Sequence, residues 1–187
     1  MPNWCENSVS FTHENPEMIQ RIKRVIESDD SLFNEFVPMH SDLMNTDKGF
    51  FKEDTDKQKA MEKANNRNIK KHGYKDWYDF AINEWGTKWD VAGSDLMEYD
   101  SGPNWIAFTF STAWTPPIEF YRKMEESHGY DVNAEYSEIG CCFVGKYSHG
   151  HDECYSYDCR NDLELIPSDL VEGFQLESMF DDEEEAA

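Results

Sequence analysis

The residues best suited to chemistry gather late in the chain: His149-Gly150-His151, then Cys154 and Cys159, with Cys141 and Cys142 just upstream. Imidazole nitrogen and thiolate sulfur are zinc donors, and a structural zinc takes four of them, usually from Cys-x2–4-Cys or His-x3–5-His pairs. Here a His-x-His pair precedes Cys-x4-Cys, a spacing close to the zinc pattern without matching it. His149, His151, Cys154 and Cys159 are therefore the candidate metal ligands. The first expectation is no cofactor, with reduced, half-buried cysteines in a glycine-containing loop, and zinc is the alternative. A catalytic Cys–His pair needs a thiolate and a base in contact, and nothing in the spacing of Cys141 or Cys142 to the histidines selects one. The acidic clusters at 152–153 and 181–185 lack the Asp-x-Asp-x-Asp-Gly frame of a calcium loop. The full phosphate-loop pattern Gly-x-x-x-x-Gly-Lys-Ser/Thr, Gly-x-Ser-x-Gly and His-Glu-x-x-His are likewise not in the sequence. The expectation is a protein that is not an enzyme.

Tryptophan offers a second chemistry. Every tryptophan but Trp4 falls between Tyr74 and Pro117. Trp85 and Trp89 flank Gly86-Thr87-Lys88, and Trp114 precedes two prolines. Trp85, Lys88, Trp89 and Trp114 are the candidate ligand-binding residues, able to line a small anionic site or to stack on bases. The competing and preferred reading makes these rings core, each indole N–H satisfied by a nearby carbonyl.

Charge is the third signal. The chain has 187 residues and a formal net charge of −22. Residues 1–90 carry 13 Lys/Arg against 17 Asp/Glu, and residues 91–187 carry 4 against 22. Such a field repels phosphates, so free DNA or RNA is not an expected ligand, and basic protein surfaces are. Asp152, Glu153, Asp158, Asp162 and Glu164 are the candidate partner-binding residues. No apolar run approaches the ~18–20 residues of a membrane span. The start, Met1-Pro2-Asn3-Trp4-Cys5, has neither the basic nor the apolar region of a signal peptide. The expectation is a cytoplasmic protein with reduced cysteines and no membrane contact, with homo-oligomerisation left open.

The elements that must position these groups follow from periodicity. Residues 7–12 alternate as a strand does, and Asn15-Pro16 opens a helix whose stripe is Met18, Ile19, Ile22, Val25 and Ile26. Phe33 to His40 is a short apolar segment lying across the core. Residues 53–71 run from acidic to basic, which complements a helix dipole, and read as a charged surface helix. Trp77, Phe80, Ala81 and Trp85 form a short aromatic helix ended at Gly86. Lys88 to Tyr99 reads as a strand bent at Gly93, Ser101 to Asn104 as a turn, and Trp105 to Ser111 as a second strand. Thr115 is expected to cap a further helix with Pro116 and Pro117 in its first turn. Strands follow at Val132–Tyr136 and from Cys142. The order β–α–(insert)–β–β–α–β–β predicts an α+β, ferredoxin-like split β-α-β sandwich, an antiparallel sheet with helices on one face. Its predicted extent is 1–147, with a helical insertion at about 44–72. An acidic extension covers 148–187, where Leu170, Val171 and Phe174 dock and Asp181–Glu185 are expected to be disordered.

Several ordered motifs carry a family likeness. Met1-Pro2-Asn3-Trp4-Cys5, Phe33-Asn34 with Pro38-Met39, Tyr78-Asp79 leading to Asn83 through Trp89, Thr112 through Pro117, and Glu135-Tyr136 with Gly140, Phe143 and Gly145 together resemble the YubB ferredoxin-like family. His40 departs from it, standing where a second proline is expected. The likeness spans roughly residues 1–147 and implies the fold and a setting on bacteriophages and conjugative plasmids. It implies no activity and no catalytic residues. The functional expectation is an acidic accessory protein in a bacterial host cell that binds a basic surface of a host protein for host modulation or anti-defence, in part by nucleic-acid mimicry. The alternative is a small-ligand or RNA module built on the Trp85–Trp114 region.

Overall fold

The computed structural model describes residues 2–49 and 55–180. Its frame is one six-stranded sheet in the order β2-β3-β1-β4-β5-β6, antiparallel throughout. The strands are β1 (Trp4–Thr12), β2 (Met97–Ser101), β3 (Trp105–Ala113), β4 (Asp131–Glu138), β5 (Phe143–Ser148) and β6 (His151–Ser156). The first four, in the order 2-3-1-4, have the ferredoxin-like split β-α-β arrangement. Helices α1 (Pro16–Ser28) and α6 (Ile118–His128) make the two crossovers. Between them lie α2 (Leu32–Phe36), α3 (Ser41–Met44), α4 (Thr55–His72) and α5 (Trp77–Glu84), and α7 (Ser168–Gly173) follows β6.

Strand parity decides which side each residue serves. In β1, Cys5, Asn7, Val9 and Phe11 are buried, while Trp4, Glu6, Ser8 and Thr12 are exposed. Phe108 and Phe110 of β3 and Val132 of β4 join Val9 and Phe11 against Ile19 and Ile22 of α1 and Phe120, Tyr121 and Met124 of α6. The Asn15–Pro16 start forms as expected: the Asn15 side chain accepts the Glu17 N–H at 3.0 Å, and proline occupies the first turn. A second cluster lies on the opposite face. Val144 of β5 packs there with Tyr157, Leu163, Ile166, Leu170, Val171 and Leu176. The chain after β6 thus folds back over the β5 side of the sheet, and the β2–β3–β1 side of that face stays open.

Four local expectations change. Residues 88–96 are not strand. The backbone there bonds to the end of α1, with Gly93 N–H to Asp30 O at 3.0 Å and Ser94 N–H to the Asp29 carboxylate at 2.7 Å. Thr115 is not a helix cap: α6 begins at Ile118 after Pro117, and the Thr115 hydroxyl donates to Gly86 O at 2.8 Å. The apolar segment after Asp30 is in part helical, as α2, with Leu32, Phe33 and Phe36 buried. The sheet also continues beyond residue 148 as β6, whose Asp152, Glu153 and Cys154 pair in register with Tyr147, Lys146 and Gly145. Strand formers are few in β6, so its pairing with β5 prevails over local preference. Asp181–Glu185 lie outside the described residues, as do Glu53 and Asp54 of the expected surface helix.

The contact of α1 with Gly93 is tight. A Cβ there would collide with the Val25 carbonyl oxygen and lie 2.9 Å from that of Ile26. Backbone on both sides cannot yield cheaply, so Gly93→Ala is expected to cost about 1–3 kcal/mol, read as a lower urea midpoint with unchanged slope.

A candidate binding cleft on the open sheet face

The open face ends in an aromatic corner. Trp4 points out of β1, opposite in parity to Val9 and Phe11. Its ring centroid lies 6.2 Å from that of Trp89, with the planes inclined at 45°. Trp89 projects from the loop after α5, which is anchored at both ends. On one side Gly86, at φ +85°, lies flat on the start of α6, where an added Cβ would come within 3.0 Å of the Ile118 and Glu119 amide nitrogens. Only glycine fits that close approach in the left-handed region. Thr87, fully buried, donates its hydroxyl to Ala113 O at 3.0 Å. On the other side the Asp90 carboxylate accepts N–H bonds from Phe33 at 2.7 Å, Asn34 at 2.8 Å and Val91 at 2.8 Å. It serves as the N-terminal acceptor of α2, whose own N-cap Ser31 makes no side-chain bond. Burial raises the Asp90 carboxyl above its ordinary range, and the three N–H donors pull against that rise. Lys88 and Trp89 are what remains between the anchors, with the Lys88 ammonium 4.3 Å from the Trp89 ring centroid.

Trp4 and Trp89 wall a cleft of about 380 Å³ whose floor includes Ser111 and Ala113 and whose far side carries Asp95 and Met97. A second groove of about 380 Å³ adjoins it, sharing Met97 and Ser111 and continuing past Glu6, Ser8 and Thr109 to Glu135 and Phe174. Glu135 faces Ser8 across the β1–β4 pair. Burial and, secondly, the charge of Asp169 raise its carboxyl, while Lys146 lowers it. The whole track is thus apolar and aromatic at its ends, with carboxylates along it.

The residues singled out in the sequence separate. Trp85 is core, 5% exposed, its indole N–H donating to Val37 O at 3.0 Å. The expectation of core tryptophans fails for Trp89, at 40% exposed, and Trp114, at 45%, and Trp4 and Trp105 are exposed as well. Trp114 stands at φ +74° just after β3, a backbone conformation uncommon for a bulky residue. The central open-face positions are Glu6, Ser8, Thr109 and Ser111 rather than rings. Among the metal candidates, His151 and Cys154 fall on opposite faces of β6 by strand parity. Tyr136 shares a face with Cys154 and donates its hydroxyl to Asp152 at 2.6 Å. His149 pairs with Asp131 at 3.5 Å, and the Cys159 thiol lies 3.4 Å from Asp162. His149, His151, Cys154 and Cys159 do not converge on one point. Of the acidic candidates, Asp162 is used locally, accepting the N–H groups of Asp158 and Cys159 at 2.8 and 3.0 Å. Glu153 lies 3.7 Å from Lys146, and Asp158 and Glu164 are exposed. Trp4, missed as a site residue, was readable: once Val9 and Phe11 are inward, every even position of β1 must face out.

Residues 84–173 match the family model described as the ferredoxin-like domain in Api92-like protein. The match covers just under half of the chain, from the end of α5 through α7, and so includes β6 and part of the C-terminal cover. A crystal structure of protein Api92 from Yersinia pseudotuberculosis aligns over 85% of this chain and 99% of that one, at 10% identity and a TM-score of 0.44. No curated protein matches the sequence. Among the described residues no helix is long and apolar enough to cross a membrane.

Proposed function

We propose that the protein is a non-enzymatic binding module that takes up a basic, arginine- or lysine-bearing segment of another protein along its open sheet face. The observation that carries this reading is the Trp4–Trp89 corner opening into a groove edged by Asp95, Glu6 and Glu135. Indole faces attract cations, and Lys88 already occupies that relation to Trp89. Carboxylates along the track complement further positive charge, and the net charge of −22 steers such a partner inward. The resemblance of the sequence motifs to the YubB family, set on bacteriophages and conjugative plasmids, supports a host protein in the bacterial cytoplasm as the source of that segment. A protein that fills a phosphate-binding surface with carboxylates would act there as a nucleic-acid mimic in host modulation or anti-defence.

The test is a tryptophan-fluorescence titration with an arginine-rich peptide, an acidic peptide of equal length and a short single-stranded RNA. The basic peptide is expected to perturb the emission, with affinity falling several-fold as the Debye length shrinks from about 10 Å at 0.1 M salt to about 3 Å at 1 M. Trp89→Ala is expected to weaken it about tenfold or more, as loss of an aromatic anchor does. Salt-insensitive binding, or a response to RNA and not to the basic peptide, would overturn the proposal.

A further inference from the structure

A different cluster lies where the end of α4 meets α3. His40 caps α3, Asp42 sits in its first turn, and His72 is the last residue of α4. His72 Nε2 is 2.9 Å and His40 Nδ1 3.7 Å from the same Asp42 oxygen, Oδ2. One ligand atom from each residue can be chosen so that all three lie within 4.8 Å of one another. The two imidazole rings stack with centroids 4.1 Å apart, inclined at 34°.

We propose that His40, Asp42 and His72 form a binding site for a divalent transition metal of the zinc, cobalt or nickel class. Two imidazoles and one carboxylate are borderline N and O donors suited to these ions rather than to magnesium or calcium. Donors held about 2.0–2.1 Å from a tetrahedral ion stand about 3.3 Å from one another. The separations of 2.9 and 3.7 Å bracket that value, so small side-chain rotations close the set. Three protein ligands leave a fourth position for water or an added ligand. The place already attracts a cation: Lys71 Nζ sits 2.7 Å from Asp42 Oδ2, and an arriving ion displaces it. His40 Nδ1 accepts the Asp42 N–H at 3.1 Å, a cap bond that a metal bound at Nδ1 replaces.

The surroundings give the ion a task. Among its eighteen residues α4 buries only Asn68, so little apolar packing fixes it. A metal held by His72 on one side and His40 and Asp42 on the other would clip the end of α4 to α3. The sequence holds no sign of this, because the two histidines are far apart along the chain and only the packing of α4 unites them.

The experiment is calorimetric titration of chelator-treated full-length protein with zinc alone and nickel alone. One ion per chain is expected, with affinity reduced at least tenfold in H40Q and in H72Q and unchanged in the H149Q/H151Q double variant. Lys71→Gln removes the competing ammonium and is expected to tighten binding several-fold, a gain that misfolding cannot imitate. Zinc is also expected to slow proteolysis within α4, residues 55–72, in the wild type and not in H72Q. Absence of binding, unchanged affinity in H40Q and H72Q, or loss in H149Q/H151Q instead would overturn the site.

Discussion

Phe33→Ala is expected to lower the stability of the whole domain by about 3–5 kcal/mol, the range for a large ring removed from a core that cannot collapse around the space. Phe33 is fully buried, and its centroid lies 4.6 Å from that of Phe120, 5.9 Å from Trp85 and 6.1 Å from Phe110. It therefore joins α2, the residue that ends α5, α6 and β3 at one point. At roughly 2–4 °C per kcal/mol for a chain of this size, the melting temperature should fall by roughly 6–20 °C. A calorimetric melt within a degree or two of wild type would show that the four elements do not share this keystone. Alanine keeps the backbone N–H that this position presents to Asp90, so the variant is expected to retain that anchor of the Trp89 loop under conditions where the protein is still folded.

Leu170→Asp is expected to act as strongly but in one place. Leu170 is fully buried in the second cluster, where a carboxylate would have no cationic partner among the cluster residues. Burying an unpaired charge costs at least several kcal/mol, more than a short helix and two 3₁₀ turns can withstand. Val144 of β5 is the buried strand residue of that cluster, while β1, β3 and β4 have their own core on the other face. Loss of the cover should therefore leave the ferredoxin-like frame folded. Hydrogen exchange should show residues 157–180 losing protection while amides of β1, β3 and β4 keep theirs. All six tryptophans precede residue 115, so their emission should stay near wild type. Simultaneous loss of protection everywhere would mean that the two clusters unfold as a single unit.

The legible parts of the fold were those written locally. Asn15-Pro16 and the stripe from Ile19 to Val25 specify α1 by capping and period, and Ile106, Phe108 and Phe110 specify β3 by alternation. What escaped was settled by distant backbone. Residues 92–95 look extended, but the end of α1 claims the N–H groups of Gly93 and Ser94. His151–Ser156 is too acidic to read as a strand, but β5 offers it a ladder. The candidate site divides in the same way. Trp4 follows from strand parity, whereas the exposure of Trp89 depends on Thr87 and Asp90 being bonded to β3 and α2, contacts between residues 26 and 57 positions apart. The convergence of His40 with His72 has no local signature.

The two rims of the sheet bear on a hazard common to antiparallel proteins. An unpaired strand offers free N–H and C=O groups to any similar chain, which is how sheets grow into aggregates. Here β6 ends one side with Asp152 and Glu153 near the middle of the strand, so a second copy adding in antiparallel register would bring like charges together. On the other side β2 loses register between Met97 and Asp100, and such an irregularity bends and twists the strand away from flat pairing. The acidic character of β6 thus acts as a gatekeeper against self-association, and neutralising Asp152 and Glu153 would remove a safeguard as well as a charge.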